Sequence, residues 1–139
     1  MLDRQKVFDT ALKGIIQQGC LSLATEGNCA YRGKNNTRCA VGWLIPDNRY
    51  DPKIEGGSVV DRMTEIEEML APKFGSIGPG DFDFLLDIQS KMHDSLMDIF
   101  SSSSFHMSDL KANTERLAKE YSLTVDVNLF NTENSNEEG

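Results

Sequence analysis

Val7, Phe8, Ala11, Leu12, Ile15 and Ile16 recur at the spacing of one helix face, so residues 3–18 predict an amphipathic helix. Asp3 is placed to cap its start and Gly19 to stop its end. Residues 28–32 read as extended, and residues 33–37 (Gly-Lys-Asn-Asn-Thr) supply turn chemistry. The apolar run 39–45 is too short for periodicity to separate a buried strand from a short helix. Pro46 and Asp47 act as a stop and turn, which favours the helix. Ser58 with Asp61 approximates a capping box and predicts a helix to about Leu70, with Val59, Met63, Ile66 and Leu70 as its core stripe.

Pro72 and the glycine-rich stretch 75–80 interrupt the pattern, which resumes as a longer helix from Asp81 to about Phe100. That stretch lacks the Lys-Ser/Thr ending of a phosphate-binding loop and reads as a plain connection. Residues 101–104 are four serines and read as a turn. Ser108 then caps a helix with the stripe Leu110, Thr114, Leu117 and Tyr121. Leu123, Val125, Val127 and Leu129 alternate with polar residues, the pattern of a short half-buried strand. Residues 131–139 contain no apolar side chain and predict a disordered acidic tail. The expectation is an α+β fold: one mainly helical domain over residues 1–130, four to five helices, and a small β element near residues 28–41 and 123–130.

Composition narrows the function classes. At 139 residues the chain holds one domain with a modest core, too short for a two-domain dehydrogenase or kinase. Its formal charge of −8 is uneven: residues 1–58 carry eight Lys/Arg against six Asp/Glu, and residues 59–139 carry six against sixteen. That balance disfavours binding to a phosphate backbone, so nucleic acid is not an expected partner. An acidic helical surface either serves solubility or docks on a basic partner. No apolar run reaches the ~18 residues of a membrane span, and the first residues lack a signal-peptide core, so a cytoplasmic protein without a membrane partner is expected. Three cysteines (Cys20, Cys29 and Cys39) without a secretion signal predict reduced thiols.

The densest chemistry lies in residues 29–56, which read C-A-Y-R-G-K-N-N-T-R-C-A-V-G-W-L-I-P-D-N-R-Y-D-P-K-I-E-G. Further on, residues 86–94 read L-D-I-Q-S-K-M-H-D. Together these resemble a widespread family of small uncharacterised proteins of tailed phages and prophages, with the pattern C-x-Y-R, C-A-V-G-x-L-I-P-D, a Tyr, E-G, and a later L-x-x-I/L-Q-x-x-H-D. The likeness runs to about residue 100, and Trp43 stands where many members carry another Cys. It implies a phage accessory gene acting inside an infected bacterium, with no activity attached.

On a continuous helix from Asp81, the residues Phe82, Leu86, Gln89, His93, Leu96 and Phe100 form one stripe, with two polar side chains at its centre. Buried polar groups need partners, so Gln89 and His93 are expected to bond to the segment 29–45 and fix its shape. A sharper reading makes Cys39 a nucleophile and His93 its base, with Asp94 or Gln89 orienting the ring or stabilising charge. On a continuous helix Asp94 points about 100° away from His93, which argues against it as the orienting group. A metal site is disfavoured, because Cys29 and Cys39 are separated by nine residues and only His93 and His106 remain as ligands. Neither metal nor cofactor is expected.

Arg32, Lys34, Arg38 and Arg49 gather about the turn and could receive an anion. The candidate binding residues are therefore Tyr31, Arg32, Arg38, Gln89 and Asp94, with Cys39 and His93 as the catalytic pair if the protein is an enzyme. The expected function is a phage-encoded factor that binds a bacterial host protein and modulates or inhibits it. The alternatives are a Cys/His-dependent hydrolase or transferase and an anion- or nucleotide-binding module.

Overall fold

A computed structural model describes residues 1–24, 29–97 and 103–130. Four α-helices order these residues: α1 (Arg4–Gln18), α2 (Met63–Phe74), α3 (Asp81–Met92) and α4 (Met107–Tyr121). Five single 3-10 turns, none longer than four residues, carry the chain elsewhere.

Helix α1 starts and stops where its sequence says. The Asp3 side chain accepts from the Lys6 N–H at 3.1 Å, and Gly19, at φ 74°, donates its N–H to the Ile15 carbonyl. The face Val7, Phe8, Ala11, Leu12 and Ile15 is buried. It packs on α3 and on the 3-10 turn Val41–Leu44, where Gly14 leaves room for the Trp43 ring. The Asp3 N–H also bonds to the Phe74 carbonyl at 2.8 Å, tying the start of α1 to the end of α2.

Helix α3 lies against both α1 and α4. Its buried face is Phe84, Leu85, Ile88, Gln89 and Met92. Arg4 pins the junction of the three helices: its Nε bonds to the buried Asp81 carboxylate at 2.7 Å, and its guanidinium lies over the Phe84 and Tyr121 rings. A partly desolvated ion pair with cation–π support is stronger than an exposed one.

Several expectations are corrected. The described residues contain no strand or sheet, only an isolated bridge between Leu23 and Cys29, so the fold is all-α rather than α+β. The alternating segment 123–130 finds no strand to pair with. The Gln5 side chain takes both backbone groups of Thr124, at 2.9 and 3.0 Å, and the chain then closes helical turns from Asp126 to Leu129 and Val127 to Phe130. Alternation without a neighbouring strand does not make a sheet.

The long helix expected to reach Phe100 ends at Met92. His93 leaves helical geometry at φ −145°, ψ −71°, and a 3-10 turn follows over Asp94–Leu96. The expected stripe through Phe82, Leu86 and Leu96 is accordingly only half-buried. Ser58 and Asp61 do exchange reciprocal bonds, at 3.4 and 3.2 Å, but turns precede α2, which begins at Met63. Pro72 sits in the last turn of α2, where it cannot donate to the Glu68 carbonyl, and the helix stops two residues later at Phe74 rather than before the proline. Residues 25–28, 98–102 and 131–139, with the expected acidic tail, lie outside the described residues. No described helix is long and apolar enough to cross a membrane.

Candidate functional site

Residues 29–57 fold as four short 3-10 turns joined by side chains that take the place of a backbone ladder. Glu55 is the centre of this cage. Its Oε1 accepts from the Tyr31 N–H at 3.1 Å, its Oε2 accepts from the Arg32 N–H at 2.9 Å, and the Tyr50 hydroxyl donates to Oε2 as well. The Tyr31 hydroxyl donates to the Gly57 carbonyl. Burial, followed by nearby groups that carry or develop negative charge, raises the Tyr31 phenol far above its ordinary range. Tyr50 is raised in the same direction by burial and then by Glu55.

Gln18, at the end of α1, holds the other side of the cage. It accepts from the Arg38 N–H at 2.7 Å and donates to the carbonyls of Arg38 and Cys20. A Cβ on Gly42 would lie 2.3 Å from the Tyr31 carbonyl oxygen, so the motif glycine is a close-approach residue.

The two candidate anion-binding arginines are turned to one carboxylate. Arg32 and Arg38 reach Asp47 Oδ1 at 2.8 and 3.0 Å, and these contacts hold the exposed Asp47 carboxyl below its ordinary range, Arg32 first. Arg32 also donates to the Ile45 carbonyl and covers the Tyr50 ring, while Arg38 covers Trp43.

Helix α3 closes the cage from behind. Gln89 Oε1 accepts from the Val41 N–H at 2.9 Å, and its Nε2 donates to Asp94 Oδ1 at 2.9 Å. His93, fully buried, accepts at Nε2 from the Ser22 N–H at 2.8 Å. The ring proton therefore sits on Nδ1 and is donated to Asp94 Oδ1, 3.0 Å away. The end of α3 at Met92 is what brings Asp94 onto its neighbour's ring, against the 100° separation of a continuous helix.

These contacts place the two sequence motifs around one cavity of about 650 Å³. Cys29, Glu55 and Gly57 line it from the first motif, Asp94 from the second, and Asp61 from the approach to α2. Among the described residues that line it are three carboxylates and no basic side chain. Among the described residues, no three of His, Cys, Asp and Glu come close enough together to hold a metal ion.

Tyr31, Arg32, Arg38, Gln89, His93 and Asp94 are thus all joined to the same cage. Cys39 is joined differently from the nucleophile of the sequence reading. Its thiol is fully buried beside Cys29 and is pushed well above its ordinary value, by burial first and by Cys29 second. Both nitrogens of His93 are occupied by other partners, so the ring is not placed to act as a base for Cys39. The thiol at the cavity is Cys29, expected from the sequence as a partner for the buried polar pair or as a metal ligand, not as the nucleophile. Its place at the head of the C-x-Y-R motif was the available signal. Comparison with family models, curated proteins and solved structures finds no match to this chain.

Proposed function

We propose that the protein acts by binding, as a phage-encoded factor that engages and modulates a bacterial host protein in the host cytoplasm. Supporting binding over catalysis is one observation: the motif side chains that could do chemistry are bonded into the scaffold, while the described residues lining the cavity they enclose include Glu55, Asp61 and Asp94 and no basic side chain. A concave acidic site in a chain of net charge −8 favours a cationic side chain, Lys or Arg, presented by the partner. The phage setting rests on the C-x-Y-R and Q-x-x-H-D motifs.

The test is affinity purification from bacterial lysate with the wild-type protein beside an Asp61→Asn/Asp94→Asn double variant. Asn at 94 keeps an oxygen for the Gln89 contact while removing charge. The expected result is a host protein enriched on the wild type, lost at high salt, and recovered about tenfold less on the variant. Equal recovery on both proteins, or no partner from either, contradicts the reading. The anion-binding alternative has a groove of about 410 Å³ lined by Lys13, Arg38 and Lys73. Arg38 there already faces Asp47, which weakens its claim.

A further inference from the structure

We infer that Cys29 and Cys39 form an oxidisable dithiol, in which Cys29 is the site of attack by a hydroperoxide and Cys39 the thiol that resolves it to an intramolecular disulfide. Three observations place the pair. The Cys29 side chain lies beside the buried Cys39 thiol. The Cys39 N–H bonds to the Ala30 carbonyl at 3.2 Å, and Ser22 clamps Ala30 through both its backbone and its hydroxyl, so the residue following Cys29 is held against the backbone of Cys39. Finally, the two thiols differ in access: Cys29 is partly exposed and lines the acidic cavity, whereas Cys39 has no exposure at all. An accessible thiol backed by a sheltered one is the arrangement of a peroxidatic and a resolving cysteine. Cys20 lines a different cavity, with Leu21, Asn35 and Trp43.

The chemistry closes with hydrogen peroxide as the oxidant. The Cys29 sulfur, having lost its proton, attacks one peroxide oxygen; an S–O bond forms, the O–O bond breaks, and the second oxygen leaves as water after taking a proton. Cys29 is then a sulfenic acid. The Cys39 sulfur attacks the Cys29 sulfur, the S–S bond forms, the S–O bond breaks, and the hydroxide leaves as water with the Cys39 proton. Two thiols are oxidised and one peroxide is reduced to two waters. Burial disfavours the Cys39 thiolate, which slows the second step and favours trapping of the sulfenic acid.

The experiment is intact-mass analysis of the native full chain after brief exposure to hydrogen peroxide, with and without the sulfenic-acid trap dimedone. Wild type is expected to lose about 2 Da, reversibly with dithiothreitol, with peptide mapping joining Cys29 to Cys39. Cys39→Ala is expected to stop at Cys29 sulfenic acid and to be labelled by dimedone. Cys20→Ala should still form the bridge. Far-UV circular dichroism establishes that each variant is folded. If Cys39→Ala is not folded, dimedone labelling of wild-type Cys29 at early times decides the order of events. A wild-type protein that takes up oxygen at Cys29 without bridging, that bridges through Cys20, or that leaves Cys29 unmodified overturns the inference.

Discussion

In the packing of α1, α3 and α4, backbone hydrogen bonds stay within each helix and side chains contribute apolar area: Phe8 and Ile15 from α1, Ile88 from α3, Leu117 from α4. In residues 29–57 short backbone turns are tied together by four backbone donors that go to side chains far away in sequence, Tyr31 and Arg32 to Glu55, Arg38 to Gln18, and Val41 to Gln89. The first region needs apolar residues of about the right size at the right spacing. The second needs particular residues at particular positions, because an unmet buried donor costs more than a changed methyl group. The density of the motif is thus a structural requirement of the cage, and only what the cage leaves facing its cavity is available for function.

The sharpest way to break this contrast is at Glu55. Glu55→Ala leaves two backbone donors and the Tyr50 hydroxyl without their acceptor and should lower unfolding free energy by about 4 kcal/mol, read by urea denaturation. Gly42→Ala should cost about 3 kcal/mol, since the new Cβ meets backbone at Tyr31 rather than a side chain that can move. At the other end, Ile88→Val in the helical packing should cost only about 1 kcal/mol, although Ile88 is fully buried. Equal losses at Glu55 and Ile88 would erase the distinction between the two regions.

An alkaline titration sharpens the comparison further. All three tyrosines have phenols raised above the ordinary value of 10.0, with burial as the first cause. The neutral phenol is the form the fold holds. Its contribution is complete below the ordinary value and falls as pH rises above it, by about 1.4 kcal/mol per pH unit for buried Tyr31. Tyrosinate absorbance should therefore rise together with loss of helical circular dichroism, above pH 10.0. Absorbance that rises in the folded protein at the ordinary value would show the cage to be open.

Much of the helical half was legible because its information is local. The spacing in residues 7–16, the Asp3 cap and the Gly19 stop define α1, and Leu110, Thr114 and Leu117 define the buried face of α4. The errors arose where distant side chains decide. The alternation of Leu123 to Leu129 looks like a strand until Gln5, from α1, is found to take up Thr124. The stripe running past His93 looks continuous until Ser22 is seen to hold the ring and the helix to end. Gln89 and His93 both turn inward, as their place among apolar residues suggested, but only Gln89 bonds to residues 29–45; His93 bonds to Ser22 and Asp94 instead. Pairing His93 with Cys39 was a guess about distance, and each has a different partner. The cavity position of Cys29 depends on which thiol the fold covers, which no spacing reveals.

The motif segment is held from behind by His93, just past the end of α3, which grips Ser22, the residue bonded to Ala30. The two histidines can be read directly in a long-range 1H–15N spectrum of the 15N-labelled protein at neutral pH, with His106→Gln to assign them. The structure predicts a His93 ring protonated at Nδ1, with Nε2 as an unprotonated acceptor for the Ser22 amide. A His93 signal with the proton on Nε2, or one averaged like a freely solvated imidazole, would contradict it.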